Sequence, residues 1–224
     1  MSYINLGLIF IAGLNLGLAI FIFLLNPKNK INLSLSLGIF FLAAWTLGMA
    51  MFREAGTERM AWFWSYVQNA SGAFIVIPFY FFSVYFPHQG QSIKTRNIFL
   101  VFLSALVMFC VVVVPGFWVK KIYLIPSNNQ YDLNAIGVLY FNLHFFCYLL
   151  LSFRNLLKKY LVSSGFAKRQ IFVTLIATSI IAIFGSVFSA LIPLIFLQLG
   201  PYWLGPYFSL PMLIILVRFV YTNN

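Results

Sequence analysis

Long apolar runs, each close to the length that a helix needs to cross a bilayer, recur along this chain between short polar stretches. A membrane-spanning helix takes about 20 residues of this kind. Seven such spans can be drawn, with approximate limits at residues 3–25, 32–52, 62–86, 98–114, 135–153, 171–197 and 206–220. The pattern predicts an all-α fold: a polytopic membrane bundle of seven transmembrane helices with short loops.

The composition excludes several other classes of protein. Of the 224 residues, 62% are hydrophobic and 8% are charged, whereas soluble domains carry about 45–50% and about 25%. A water-soluble globular domain, a disordered chain and a nucleic-acid-binding module are therefore excluded. The net charge of +11 comes from short basic loops, which membrane topology explains better than a nucleic-acid partner. We find no linker and no internal repeat, so residues 1–224 are expected to form one domain.

The distribution of Lys and Arg predicts the orientation of the helices. One group lies in the loops after spans one, three and five and at the end of span seven: Lys28, Lys30, Lys94, Arg96, Arg154, Lys158, Lys159, Lys168, Arg169 and Arg218. The other side carries Arg53, Arg59, Lys120 and Lys121. Because cytoplasmic loops are enriched in Lys and Arg, we expect the N-terminus outside and the C-terminus in the cytoplasm. The predicted location is the plasma membrane, with the lipid bilayer as solvent.

Two segments outside the spans have patterns of their own. The apolar run at 122–125 is followed by turn residues at 126–129, which predicts a strand and turn of a small hairpin. After span five, apolar residues keep helical spacing as far as Leu161. This spacing predicts either an extension of span five as an amphipathic stem or a separate interfacial helix with Lys158 and Lys159 on lipid phosphates.

Few residues in the chain could carry catalysis. There are three acids and two histidines, and no acid lies inside a predicted span. The sequence has no H-E-x-x-H motif, no paired carboxylates and no Cys/His cluster with metal-ligand spacing. We therefore expect no catalytic residues, no metal and no cofactor. The lack of a carboxylate within the spans also argues against an ion-coupled transporter.

Polar side chains inside the spans are the candidate ligand-binding residues. His144 is an ionisable group deep in span five, and such groups often mark functional sites in membrane proteins. The full set of candidates is His144, Asn142, Asn69, Gln68, Tyr140 and Tyr148. Two interpretations stay open: a pocket in the outer half of the bundle bounded by spans three, five and six, or polar residues that only bond neighbouring helices.

Span one contains a pattern of small residues that concerns helix packing. Gly13 and Gly17 are spaced by four residues, which allows another helix to approach closely. We favour packing inside the bundle, with a homodimer as the alternative.

Four stretches of sequence carry a family resemblance. They are 29–48 with Asn32, Trp45 and Gly48; 62–87 with Pro78 and Phe86-Pro87; the basic loop with Leu156-Leu157-Lys158, Gly165 and Arg169-Gln170; and Pro193 with Leu204-Gly205-Pro206. In their order and spacing these stretches resemble the N-terminal seven-transmembrane sensor region of bacterial and archaeal histidine kinases. The resemblance covers nearly the whole chain.

What the resemblance implies is a membrane-embedded sensor or receptor. Such a module detects an extracellular or membrane-borne small ligand and relays it by helix rearrangement to a cytoplasmic signalling domain or kinase, as in two-component signal transduction. In such kinases the seventh span leads to a phosphoacceptor His and an ATP-binding domain, whereas this chain stops at Asn224. Neither His88 nor His144 has the context of a phosphoacceptor. We therefore expect no enzyme in this chain, which is either an excised sensor region or a stand-alone relative that works through a partner.

Two other functions remain as alternatives. A transporter of small molecules, or a lipid-handling protein, predicts a continuous polar path or a lipid-sized groove across the bundle. A scaffold subunit without a ligand predicts tight packing and no cavity.

Overall fold

The computed structural model describes residues 1–88, 93–192, 195, 201–212 and 214, and most of them are helical. Six segments in this part are long and apolar enough to cross a membrane: Tyr3–Leu25, Lys30–Glu54, Glu58–Tyr85, Thr95–Val113, Ala135–Val162 and Gly165–Ser186. They confirm the predicted helical membrane bundle for the first six spans. The predicted seventh span, 206–220, is described as far as Met212 and at Ile214, and the rest of it lies outside the described residues.

The first two helices, α1 (Tyr3–Leu25) and α2 (Lys30–Glu54), pack along each other in opposite directions. A side chain caps each helix start, as Asn29 does when its Oδ1 accepts from the N–H of Ile31 at 2.8 Å. Gly13 and Gly17 lie exposed on α1, and no described atom lies within 4 Å of where a Cβ would stand at either position. The prediction that these two glycines pack inside the bundle is therefore wrong for the described part of the chain.

The third span consists of two helices, α3 (Glu58–Phe74) and α4 (Val76–Tyr85), with a break at Ile75. Pro78 has no N–H to donate to the carbonyl of Phe74, one turn earlier, and this accounts for the break. The predicted span 62–86 is confirmed, although the break within it was not predicted. The fourth span, α5 (Thr95–Val113), packs against α3 and against the helix of the fifth span.

A small hairpin follows α5. Strands β1 (Val119–Tyr123) and β2 (Gln130–Leu133) pair antiparallel, with Ile122 opposite Tyr131. This confirms the predicted hairpin, although β1 begins three residues before the predicted strand at 122–125 and ends two residues before its limit. Asn129 fixes the hairpin to the bundle, since its Nδ2 donates to the carbonyl of Phe52 at 2.8 Å and to that of Ala55 at 2.7 Å. The hairpin therefore covers the end of the bundle at which α2 gives way to α3.

The fifth span is one uninterrupted helix, α6 (Ala135–Val162), of 28 residues. At about 1.5 Å per residue, a helix of this length is roughly 42 Å long, well above the hydrocarbon thickness of about 30 Å. This confirms the predicted extension of span five, and the alternative of a separate interfacial helix is wrong.

The sixth span, α7 (Gly165–Ser186), continues into a π-helical turn at Val187–Leu191. Its start lies six residues before the predicted limit of 171, and its predicted end at 197 lies outside the described residues. A 3-10 helix, Tyr202–Phe208, returns to the bundle, where the rings of Phe184 and Phe208 stack with centroids 4.3 Å apart.

The loops alternate between the two ends of the bundle, as the charge pattern predicted. At one end the ammonium group of Lys30 lies 5.3 Å from the centroid of the Tyr85 ring, so the α1–α2 loop and the end of α4 meet there. The hairpin and the α2–α3 loop meet at the other end. Which end faces the cytoplasm stays a prediction.

Candidate ligand-binding site

A cavity of about 160 Å³ lies in the middle of the bundle. Its walls come from α2, α3, α4, α6 and α7, and the hairpin and the 3-10 helix contribute Tyr131 and Tyr202 at one end. Aromatic rings form much of the wall: Trp45, Phe79, Trp118, Phe141 and Phe145. None of the described residues that line the cavity is charged. The arrangement is that of a mostly apolar pocket with a few polar groups, which is typical of small-molecule sites.

Two polar residues on the apolar walls are satisfied by their own helices. The hydroxyl of Ser34 donates to the carbonyl of Lys30 at 2.6 Å. The hydroxyl of Thr178 donates to the carbonyl of Thr174 at 2.7 Å. Hydroxyls bonded in this way offer little to a ligand.

Three other polar residues of the lining contact one another near Tyr202, and we call this group the polar end: Gln68, Asn69 and Tyr131. The Tyr131 hydroxyl donates to Asn69 Oδ1 at 3.2 Å, and Gln68 Nε2 donates to the Tyr131 hydroxyl at 3.5 Å. Burial of Tyr131 raises the pKa of its hydroxyl, so the side chain stays a neutral donor. The indole of Trp118 lies beside the same hydroxyl.

One acceptor at the polar end has no partner among the described residues. Asn69 uses its Nδ2 to donate to the carbonyl of Ser65 at 2.8 Å, so its Oδ1 faces Tyr131. Gln68 uses its Nε2 toward Tyr131, and its Oε1 is buried without a hydrogen bond in the described structure. Gln68 is 2% exposed. A buried polar atom without a partner is unfavourable by about 1–3 kcal/mol, which makes it a marker for a bound water or ligand.

Small residues on α2 and α3 set the position of the polar end. A Cβ at Gly48 would lie 2.8 Å from the backbone nitrogen of Gln68, closer than real Cβ atoms come. A Cβ at Gly72 would lie 3.2 Å from the indole of Trp45. The close approach of α3 to α2 therefore depends on glycine at position 48 in particular.

A second polar cluster lies next to the polar end and holds the hairpin in place. Arg53 is 4% exposed, and its Nε donates to Asn5 Oδ1 at 2.7 Å. Asn5 Nδ2 in turn donates to Glu54 Oε1 at 2.6 Å, and Glu54 Oε2 accepts from the hydroxyl of Ser127 in the hairpin turn at 3.1 Å. Burial raises the pKa of the neighbouring Tyr202 hydroxyl to about 12, while Arg53 acts in the opposite direction.

The structure separates the six candidate residues that the sequence suggested. Gln68 and Asn69 line the cavity, whereas the other four are not part of its lining. Within this second group, His144 Nε2 lies 3.2 Å from the carbonyl of Ala73, and Asn142 Nδ2 donates to the carbonyl of Val138 at 2.8 Å. A ligand-binding role for these residues stays a prediction.

The two tyrosines of that second group lie elsewhere on α6. Tyr148 shares a hydrogen bond with Ser104 of α5 at 2.6 Å, so it joins two helices. Tyr140 is 52% exposed on the outside of the bundle. Among the described residues, no three His, Cys, Asp or Glu side chains come together as a metal ion would need.

Sequence reasoning missed the contribution of the hairpin to the site. Tyr131 lies 62 residues from Asn69 in the chain, and the two meet because the hairpin folds back over the bundle. The available signal was the alternation of polar and apolar residues at 130–133, which predicts that one face of the strand is buried but not which helix it contacts.

One family matches the chain in sequence. The family described as the N-terminal 7TM region of histidine kinase matches residues 7–223. It is the sensor region of these kinases and not their catalytic domain. No curated protein and no solved structure shows significant similarity to the chain.

Proposed function

Because the chain belongs to the N-terminal seven-transmembrane region of histidine kinases, a multi-pass membrane sensor module, we propose that a small extracellular or membrane-borne ligand binds in its cavity. The observation that carries this proposal is the cavity itself, an uncharged space of about 160 Å³ with its polar groups at one end. A scaffold without a ligand would be expected to pack tightly. The cavity therefore favours a receptor over a scaffold.

We propose that the signal leaves the bundle by movement of helices. The cavity touches five helices, including both parts of the broken third span. A ligand that fits one arrangement of these helices better than another shifts the balance between them. A tenfold preference corresponds to about 1.4 kcal/mol, which is enough to bias a balanced equilibrium. The long α6 and the seventh span would carry this change to a cytoplasmic kinase or signalling domain.

We propose that the protein lies in the plasma membrane. In the proposed orientation the hairpin is outside the cell and the α6–α7 turn is in the cytoplasm. This orientation follows from the excess of Lys and Arg at the α6–α7 end. We treat residues 1–224 as a single sensor domain, because the same cavity is built from residues of α2 through the 3-10 helix.

Filling the cavity tests the coupling to output. Ala182 lines the cavity, whereas its neighbour Ile183 is 60% exposed on the surface of the bundle. We expect Ala182→Phe to change the level of histidine phosphorylation in membranes that contain the chain with its kinase partner. Ile183→Phe is the matched control and should leave phosphorylation as in the wild type. Equal phosphorylation in all three proteins would overturn the proposed coupling.

A transport function makes a different prediction. It requires flux of a solute across proteoliposomes that contain the protein, and this flux should stop in Ala182→Phe. Flux without any change in phosphorylation would replace the sensor proposal by the transport alternative.

A further inference from the structure

The wall chemistry of the cavity limits the charge of any ligand. No described lining residue carries a charge, and burying an unpaired ion in such surroundings is strongly unfavourable. Arg53, which lies beside the lining residue Tyr202, is already engaged with Asn5 at 2.7 Å. A carboxylate, phosphate or ammonium ligand therefore finds no counter-charge in the cavity, and an uncharged ligand fits it.

The hydrogen bonds at the polar end determine which kind of polar group the ligand needs. Asn69 Nδ2 is bound to the carbonyl of Ser65, which leaves Asn69 Oδ1 as the acceptor for the Tyr131 proton. The Tyr131 oxygen can then accept from Gln68 Nε2. This chain fixes the orientation of the Gln68 amide, since a flipped amide would set two acceptors against one hydroxyl proton. The indole N–H of Trp118 is directed at the same Tyr131 hydroxyl, so Gln68 Oε1 is the acceptor that this group of side chains leaves open.

The size of the cavity limits the rest of the ligand. An apolar cavity of about 150 Å³ in another protein accepts benzene, and this one measures about 160 Å³. Its aromatic walls, which include Trp45 and Phe141, suit a ring or a short branched chain.

We propose, on the basis of the function proposed above, that the cavity binds a small uncharged molecule with an apolar body and one hydrogen-bond donor, a hydroxyl or an amide N–H, which it gives to Gln68 Oε1. The apolar body lies between the aromatic rings of α2 and α6. The donor is what distinguishes a true ligand from the many apolar molecules that dissolve in the bilayer.

Two isomeric probes test this proposal. Benzyl alcohol and anisole have the same atoms, but only benzyl alcohol can donate a hydrogen bond. Binding to the full chain in lipid nanodiscs is followed by tryptophan fluorescence. Two of the five tryptophans, Trp45 and Trp118, line the cavity, and the signal that persists in Ala182→Phe is subtracted as the contribution from outside the cavity. Each apparent Kd, expressed as aqueous probe concentration, is multiplied by the partition coefficient of the probe into protein-free nanodiscs. This refers both values to the lipid phase and removes the contribution of the lipid. We expect the corrected Kd of benzyl alcohol to be roughly tenfold lower than that of anisole.

Substitution of Gln68 should remove this preference. Gln68→Met keeps the volume of the side chain and removes the acceptor, so the two corrected Kd values should become equal. Thr178→Val is the control, because the Thr178 hydroxyl is occupied by its own helix, and the tenfold ratio should persist in it. If Gln68→Met fails to fold, the ratio of the two corrected Kd values in the wild type tests the inference. Ala182→Phe, in which the cavity is filled, then serves as the reference without binding.

The outcomes separate the two proposals. Binding of both probes with equal corrected Kd values, lost in Ala182→Phe, would keep the cavity as a ligand site and overturn the inference about the donor. A ratio that survives Gln68→Met would also overturn it. Failure of both probes to bind would overturn the proposed ligand site and, with it, the inference.

Discussion

Lys159 on α6 caps the C-terminal end of α4, because its ammonium group donates to the carbonyl oxygen of Phe86 at 2.6 Å. The same group also donates to the carbonyl of Ser83 at 3.0 Å. The last carbonyls of a helix have no partner within the helix, and a cation placed there also interacts favourably with the helix dipole. Lipid phosphates were one of the two environments that the sequence left open for Lys159, but the residue joins the second half of the broken third span to the long fifth helix.

Removing this ammonium group should weaken the contact between α4 and α6 and so lower the stability of the protein. We expect Lys159→Met to lower the free energy of unfolding by roughly 1–3 kcal/mol, since it leaves several carbonyls without a donor. The adjacent Lys158 is exposed, so Lys158→Met should change the stability by less than about 0.5 kcal/mol. Thermal unfolding of the purified proteins in detergent measures both. Equal melting temperatures for the two variants would show that the Lys159 contacts contribute nothing.

Glycine at position 48 should be needed for the close packing of α2 against α3. Gly48→Ala would place a Cβ 2.8 Å from the backbone nitrogen of Gln68, and the two helices would have to move apart. Overpacking of this kind is destabilising by about 1–3 kcal/mol, and it should also weaken the binding of probes at the polar end.

Gly13→Ala is the matched control in the neighbouring helix, because nothing described lies within 4 Å of its Cβ position. Alanine favours a helix over glycine by up to about 1 kcal/mol, so this variant should be as stable as the wild type or more stable. A midpoint of Gly48→Ala that equals or exceeds that of the wild type would contradict the close approach at Gly48.

The sequence predicted the helical framework well because hydrophobic length is a property of each segment alone. The spans, the hairpin and the extension of α6 all follow from local patterns, and the structure confirms them within the described residues. The break at Ile75 was missed, although Pro78 gave a local signal for it.

The candidate site could be predicted only in part, because it depends on contacts between distant segments. Gln68 and Asn69 were found, since polar residues stand out within an apolar span. Tyr131 was not found, because nothing local indicates that β2 folds back onto α3. Arg53 was placed outside span two, whose predicted limit is residue 52, yet α2 continues to Glu54 and buries the guanidinium against Asn5.

Asn129 should be a main attachment of the hairpin to the bundle, beside the contact of Ser127 with Glu54. Asn129 is 2% exposed, and it accepts from the N–H of Ile125 at 2.8 Å in addition to its two bonds to backbone carbonyls of the α2–α3 region. Asn129→Ala should increase hydrogen exchange in the hairpin by about tenfold or more, because it leaves buried backbone groups unpaired. Asn128 is exposed on the same turn, so Asn128→Ala should leave exchange unchanged. Similar exchange rates in the two variants would argue that apolar packing of the hairpin is sufficient.

The orientation of the bundle in the membrane can be tested by labelling one position at each end of the bundle. In a background without cysteines, made by Cys110→Ser and Cys147→Ser, a cysteine is introduced at one of two exposed positions: Asn128→Cys in the hairpin turn or Ser164→Cys before α7. The excess of Lys and Arg on the α6–α7 side predicts that this side faces the cytoplasm. A membrane-impermeant maleimide should therefore label Asn128→Cys in intact cells and Ser164→Cys only after the membrane is opened. The reverse pattern would invert the proposed orientation, and labelling of both positions in intact cells would contradict the alternation of loops between the two ends of the bundle.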